Sequence, residues 1–219
     1  MVTFEDIRSS KEIQTYITQA DASLKAMGLN EHSFAHALRC ADLATSWLLA
    51  LGYPPREAEL AGIAAYMHDI GNVINRHDHA QTGALLAFRL LDKMDMPPVE
   101  IAAVVTAIGN HDEATAHPVS PIAAAVILAD KTDVRRCRVR HSDLLDFDIH
   151  DRVNYAAREA FCDLEPQKGV LILKLDIDTD ICQVTDYFEI FLDRMLLCRR
   201  AAEFLKLRFQ LIINGSVLM

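Results

Sequence analysis

Apolar residues recur every three to four positions along the first 140 residues, which is the spacing of amphipathic helices. The run over 33–51 ends at Gly52, where a glycine commonly terminates a helix. The next run begins at Pro54-Pro55, as the first turn of a helix tolerates proline, and it ends at Gly71. Because this second run is apolar nearly all round, it predicts a helix in the middle of a bundle.

Three more helices are predicted before position 140. One covers 79–93, one begins at Pro97-Pro98, and one begins at Ser120-Pro121, a serine cap followed by proline in the first turn. The last of them has an unbroken apolar stretch over 122–129. The pattern therefore predicts an all-α helical bundle.

The pattern changes after position 140. Residues 141–165 predict a polar connection and a helix over 152–161, and GVLILKLDID then predicts a strand that follows a glycine. A long amphipathic helix is predicted over 183–207, followed by a second strand in RFQLIING. We expect a main domain over 1–140 with its core at 30–140. Residues 141–219 should form a small strand–helix–strand appendage with a short β pair, acting as a lid or in dimerisation.

Composition narrows the choice of partners. The chain has 219 residues, 51% of them hydrophobic, and a formal net charge of −9, which argues against binding extended nucleic acid or anionic membranes. Its five cysteines form no C-x-x-C pair, so neither a disulfide framework nor a thiolate metal site is indicated. The first residues do not have the pattern expected of a signal peptide, and no apolar run approaches the roughly 20 residues that a membrane span needs. We therefore expect a soluble, cytoplasmic protein.

Histidines and aspartates stand among the apolar residues of several predicted helices. His68-Asp69 ends the second, apolar helix, where two polar groups are costly unless they are hydrogen-bonded, paired or bound to metal. The other metal-competent residues on apolar helices are His36, His79, His111 and Asp130. Metal sites in helical bundles are built from such inward-facing side chains. The sequence therefore predicts a metal centre inside the bundle.

The order H…HD…H…H…D, with HDIG, H-x-x-x-G-A, NHDE and LADKTD, resembles the HD-domain metal-dependent phosphohydrolases over roughly 30–140. The resemblance implies that His36, the His68-Asp69 pair and Asp130 are the core metal ligands. It also implies that His79 and His111 are the extra histidines of members with two metals, and that Asp69 bridges the ions. His77 is a rival to His79, but the H-x-x-x-G-A context favours His79.

The resemblance further implies one or two divalent transition metal ions: iron, manganese, zinc, nickel or cobalt, with magnesium less favoured. Water activated by metal would hydrolyse a phosphoester or phosphoanhydride bond of a small phosphorylated molecule, for which we favour a nucleotide. Asp69 and Lys131 are the first candidates for catalytic roles, with Lys131 contacting a phosphate. Asp112, together with Glu113 and Asp133, is a candidate for orienting ligands or protonating the leaving group.

Arginines form a basic block in this acidic chain. Arg135 and Arg136, followed by Arg138 and Arg140, could grip further phosphates, because guanidinium binds phosphate in a bidentate manner. Arg39, one turn after His36, is a third candidate for substrate binding. The alternative, a solvated basic surface, stays open.

Other interpretations remain at this point. Asn72 stands where members that cleave cyclic dinucleotides have lysine, and no GYP motif follows, which disfavours that activity. A di-iron HD-type oxygenase and a non-catalytic HD module for ligand sensing or assembly are the alternative functions. Homodimerisation through the helix at 183–207 is a further hypothesis. The four histidines expected at the surface are His32, His117, His141 and His150.

Overall fold

The computed structural model describes residues 1–140 and 149–219. Within them lie nine α-helices: α1 (Phe4–Ser9), α2 (Lys11–Ala26), α3 (Phe34–Ala50), α4 (Pro55–Met67), α5 (His79–Lys93), α6 (Pro98–Gly109), α7 (Pro121–Lys131), α8 (Ile149–Ala156) and α9 (Val184–Phe204). A short 3-10 helix, Ile70–Val73, follows α4. No helix of the described residues is long and apolar enough to cross a membrane.

The helices expected before position 140 are confirmed as α3 to α7. The cap expected at Ser120 is present, since its side chain accepts a hydrogen bond from the amide of Ala123 at the start of α7. Ser33 caps α3 in the same way by accepting a hydrogen bond from the amide of Ala35. Helix α4 is central, with every residue from Leu60 to Met67 buried. It packs against α3, α6 and α7, so the ends of these helices meet on one side of the core.

The C-terminal part contains a four-stranded sheet, where we expected only a strand–helix–strand unit. Its strands are β1 (Ala157–Glu165), β2 (Val170–Ile177), β3 (Arg208–Ile213) and β4 (Ser216–Val217), in the order β1-β2-β3-β4. The expected unit is present as β2, α9 and β3, with β2 and β3 parallel. Strands β1 and β4 are additions to that expectation, and each pairs in the antiparallel sense.

The helix expected over 152–161 is correct only in its first half. Helix α8 ends at Ala156, and β1 begins at the next residue. Ala, Arg and Glu favour a helix locally, but the apolar strand β2 is paired along both edges, with β1 on one side and β3 on the other. The polar connection expected at the start of this region falls largely on 141–148, outside the described residues.

Strand β4 arises from a hairpin turn whose signal is visible in the sequence. Asn214 and Gly215 both have positive φ angles, of 49° and 81°, as a tight turn between antiparallel strands requires. Helix α9 packs against α7 as well as β3, so the C-terminal part lies against the helix that carries Asp130. The division into domains at position 140 stays a prediction.

Candidate metal centre

The six proposed ligands lie at or near the ends of five helices, α3 to α7, and these ends come together around the end of α4. His36 lies in the first turn of α3, while His68 and Asp69 follow the last residue of α4. The remaining ligands are His79 at the start of α5, His111 just after α6 and Asp130 near the end of α7. All four histidines are at most 2% exposed. Polar groups this deeply buried require strong partners.

One group consists of His36, His68 and Asp130. The Nε2 atom of His36 lies 3.3 Å from Asp130 Oδ1 and 3.4 Å from Nε2 of His68, and His68 Nε2 lies 3.7 Å from Asp130 Oδ1. One potential ligand atom from each residue therefore falls within 4.8 Å of the others. Two imidazole nitrogens and a carboxylate oxygen at this spacing can converge on a single cation.

Asp69 connects this first group to a second pair of histidines. Its Oδ2 lies 3.0 Å from His68 Nε2 and 3.7 Å from His36 Nε2, whereas its Oδ1 lies 3.5 Å from His79 Nε2 and 4.0 Å from His111 Nε2. The Nε2 atoms of His79 and His111 are themselves 3.1 Å apart. Each carboxylate oxygen of Asp69 thus faces a different pair of imidazoles, which is the arrangement a bridging ligand needs.

The four imidazoles share one orientation. The Nδ1 atom of each faces an acceptor oxygen: the carbonyl of Ala65 for His68, of Arg76 for His79, of Ile108 for His111, and the carboxylate of Asp133 for His36. A carbonyl oxygen only accepts hydrogen bonds, so the facing Nδ1 carries the proton. The lone pair of a neutral imidazole is then on Nε2, the atom that points to the centre.

Backbone packing brings the loop after α4 against the start of α5. A Cβ atom on Gly71 would overlap the carbonyl oxygen of His79 and lie 2.5 Å from the amide nitrogen of Gly83. Only glycine permits this approach. The neighbouring Asn72 donates hydrogen bonds of 2.9 Å to both the carbonyl and Oδ1 of Asp69, which fixes the carboxylate between the two pairs of imidazoles.

Asp133 is the most heavily bonded carboxylate at the centre. It accepts a 2.8 Å hydrogen bond from His36, chelates the Arg135 guanidinium and lies 3.4 Å from Nε of Arg39. Burial alone would raise the pKa of Asp133, but the hydrogen bonds from Arg135 and His36 lower it below its ordinary value. Arg135 and Arg39 therefore hold the residue that orients His36.

The charges of the inner residues are strongly coupled. Burial opposes a charged imidazole at His68, yet the carboxylates of Asp69 and Asp130 raise its pKa to about 10. Burial would raise the pKa values of Asp69 and Asp130, but nearby cationic groups hold both pKa values well below the ordinary one. At His111, burial and then the positive charge of His68 lower the pKa. The two ionised carboxylates thus require positive charge between them. Either the proton on His68 or a divalent cation in its place can supply that charge.

The remaining predicted site residues lie at different distances from this centre. Lys131 is buried, and its Nζ lies 2.7 Å from Asp130 Oδ2. Asp112 follows His111 in the chain, but it is not one of the described residues that line the cavity next to the centre. Arg136 points to the C-terminal part, with its guanidinium carbon 4.5 Å from the centroid of the Tyr155 ring. The roles of these residues in catalysis and substrate binding stay predictions.

A cavity of about 200 Å³ opens onto the centre, and its lining includes residues that the sequence analysis placed elsewhere. His32, expected at the surface, lines it with a side chain only 14% exposed and its Nε2 3.9 Å from Asp69 Oδ2. Its Nδ1 faces the carbonyl of Asn30 at 2.7 Å, the same orientation as in the four inner histidines. The spacing of His32 one helical turn before His36 is the signal that could have identified it.

Other histidines behave as expected where they can be compared. The side chain of His77 is 85% exposed and pairs with Asp78, so His79 is the histidine at the centre. His117 is exposed. His141 and the side chain of His150 lie outside the described residues.

The donor set fits divalent metal. Once a metal ion replaces the proton of His68, four imidazole nitrogens and two ionised carboxylates match the ligands preferred by zinc, iron, manganese, cobalt and nickel. Ligand atoms of His36, His68 and Asp130, and those of His68, Asp69 and His111, lie close enough together to hold an ion. Magnesium fits less well, because it favours oxygen ligands and retains water.

The comparison with protein families agrees with the geometry. Residues 33–135 match the family model described as the HD domain, and this segment includes all six proposed ligands. Proteins with this domain generally bind divalent metals and are metal-dependent hydrolases. No curated protein matches the chain.

Proposed function

We propose, on the premise that residues 33–135 match the HD domain, that the protein hydrolyses a phosphoester or phosphoanhydride bond of a small phosphorylated molecule. A nucleotide is the substrate class that we put forward first. The observation that carries the proposal is the position of Asp69, with one oxygen towards His36 and His68 and the other towards His79 and His111.

Each ligand has a defined place in this proposal. One ion would be held by His36, His68, Asp69 and Asp130, and a second by Asp69, His79 and His111. When bound, such ions lower the pKa of water and neutralise charge on phosphoryl oxygens. The Nδ1 acceptors described above keep the imidazoles oriented before any ligand arrives, which reduces the cost of reorganisation.

The protein side of the reaction is binding, orientation and charge compensation. Lys131 is buried beside Asp130, and the carboxylates of Asp130 and Glu113 outweigh the effect of burial and raise its pKa, so it stays cationic. A fixed cation at this position can contact a phosphoryl oxygen. The cavity admits a small molecule and the net charge of the chain disfavours a polynucleotide, which supports a small phosphorylated substrate.

The test combines metal analysis with a substrate screen on the full chain. Purified protein loaded with manganese, iron, cobalt, nickel, zinc or magnesium is assayed for bound metal and for release of phosphate from nucleotides and other phosphorylated metabolites. We expect one or two bound ions and hydrolysis that is lost in His68→Ala and His111→Ala but kept in His117→Ala, the exposed control. Absence of stoichiometric metal, or no hydrolysis with any metal, would contradict the proposal.

The same experiment separates the alternatives. Iron-loaded protein that consumes dioxygen and hydrolyses nothing would favour the oxygenase. Ligand binding without turnover would favour the non-catalytic module, provided that His68→Ala retains its fold.

A further inference from the structure

The C-terminal part supplies one wall of the cavity at the metal centre. Phe191 and Arg194, both on α9, line it, and both lie outside the segment that matches the HD domain. The guanidinium carbon of Arg194 lies 4.4 Å from the centroid of the Phe191 ring, a cation–π contact that holds the side chain in place. The side chain is 24% exposed, so it is confined and still reaches the cavity.

Arg194 shares a carboxylate with Lys131. Its Nε donates a 2.6 Å hydrogen bond to Oε1 of Glu113, and the same oxygen lies 3.6 Å from Nζ of Lys131. Among the described residues, the side-chain hydrogen bond of Arg194 is made through Nε. The terminal amino groups, which carry four further N–H donors, are on the outer end of the guanidinium. One carboxylate therefore compensates two cations.

The second partner of Lys131 is also shared. Asp130 Oδ2 lies 2.7 Å from Lys131, but Asp130 is a proposed metal ligand. Once its charge is matched by a divalent cation, the group formed by Lys131, Arg194 and Glu113 carries one excess positive charge. Such an excess beside the reacting position attracts an anion.

The residues that line the whole cavity also carry more positive than negative charge. Of the described residues that line it, five are arginine or lysine and three are aspartate, although the chain has a net charge of −9. Arg135 and Arg138 are engaged by Asp133, the former through its carboxylate and the latter through its carbonyl oxygen. Arg76 lies 3.8 Å from Asp69 Oδ1, while Lys131 and Arg194 share Glu113. The cations that face the cavity therefore outnumber the carboxylates paired with them.

We propose that Arg194 provides a second phosphate subsite next to Lys131, so that the preferred substrate carries a second phosphate group beside the one that reacts. The reacting position rests on the proposed function, whereas the subsite is a statement about binding. Arg194 is then a specificity-determining residue that the C-terminal part contributes to the HD domain. Its planar guanidinium can bind phosphate oxygens in a bidentate manner while Nε stays on Glu113.

The test measures binding without turnover. Methylenediphosphonate, an analogue of diphosphate whose P–C–P linkage is not hydrolysed, and methylphosphonate are titrated by calorimetry into the full chain loaded with Mn²⁺. We expect the diphosphonate to bind at least about tenfold more tightly, and Arg194→Gln to remove most of this preference, as expected for loss of a charged hydrogen bond. Arg199→Gln, on the same helix but half exposed and near Glu203, is the matched control and should retain the preference.

A second variant tests the sign of the effect. Glu113→Gln removes the shared negative charge but keeps an acceptor for Nε of Arg194, so the preference for the diphosphonate should increase. A purely structural role for these residues predicts no increase. Equal binding of the two probes by the unmodified chain, full preference in Arg194→Gln, or no increase in Glu113→Gln would each overturn the subsite.

The subsite and the proposed function can fail separately. Arg194-dependent binding of the diphosphonate in a protein that cleaves no phosphorylated compound would contradict the hydrolase and support the subsite. Hydrolysis without any preference for a second phosphate would do the reverse.

Discussion

Asp133 accepts a 2.8 Å hydrogen bond from Nδ1 of His36, although 97 positions separate the two residues in the chain. The Asp133 side chain is fully buried and contacts Arg135 and Arg39 in addition to the imidazole. This bond fixes the ring so that Nε2 faces Asp69 and Asp130. The orientation of a proposed ligand on α3 therefore depends on a carboxylate that follows α7.

Asp133→Asn should weaken metal binding. The amide keeps an acceptor for His36 but removes the negative charge that raises the basicity of the imidazole, and partners of this kind typically contribute about tenfold to a hundredfold in metal affinity. The measurement is the dissociation constant for Zn²⁺ or Mn²⁺ by competition with a chelating dye. The control is Asp42→Asn, because Asp42 is an exposed carboxylate on α3, the helix that carries His36. Equal affinities in the two variants would show that the hydrogen bond does not matter.

Asn72→Ala should impair the site through Asp69. Its amide holds Asp69 Oδ1 at 2.9 Å, and loss of this bond frees the carboxylate to rotate away from its position between the imidazole pairs. We expect metal affinity to fall by about tenfold. If the unmodified chain binds two ions, the variant should retain fewer. Metal content after dialysis is the measurement, and Asn75→Ala, exposed in the same loop, is the control. Unchanged metal content in Asn72→Ala would contradict the orienting role.

Gly71→Ala should destabilise the fold around the centre. The added Cβ would overlap backbone atoms of α5, including the Gly83 nitrogen at 2.5 Å, and backbone cannot move aside as a flexible side chain can. Overpacking of this kind costs about 1–3 kcal/mol or more of unfolding free energy. Gly109→Ala is the matched control, because its Cβ would meet only Ala84 at an ordinary 3.7 Å. Urea unfolding of both variants decides the matter, and equal stabilities would refute the close approach.

The Arg56–Glu100 pair should make stability depend on pH. Arg56 Nε donates a 2.7 Å hydrogen bond to Glu100 and joins the first turn of α4 to that of α6. This bond lowers the pKa of Glu100 below its ordinary 4.5. A carboxyl with a depressed pKa in the folded state stabilises fully above 4.5, and this contribution is lost as the pH falls through the lower folded value.

The unfolding free energy of Glu100→Gln should therefore fall below that of the unmodified chain by about 0.5–1 kcal/mol near neutral pH, and the gap should close in acid. Urea unfolding at several pH values measures it. Glu189→Gln, an exposed residue on α9, controls for the loss of one carboxylate. A gap that persists or widens below the pKa of Glu100 would contradict the pair's contribution.

The sequence by itself determined helices α3 to α7 and the polar residues that meet between them. Helical spacing, prolines at helix starts and serine caps are local signals, so α3 to α7 could be predicted from the order of residues alone. The proposed ligands could be selected because polar groups such as His68 and Asp69 are conspicuous on an apolar helix. Their order along the chain also matched a known pattern.

Tertiary structure decided what depends on distant contacts. Residues 157–161 favour a helix locally and form β1 because β2 offers an edge with which they pair. His32 is drawn from an apparently polar stretch into the cavity, and Arg135, which also lines the cavity, donates a hydrogen bond to Asp133. Arg194 reaches the cavity only because α9 packs against α7. A local pattern gives the type of element and its buried face, but which side chains from different elements meet is fixed by packing the whole chain.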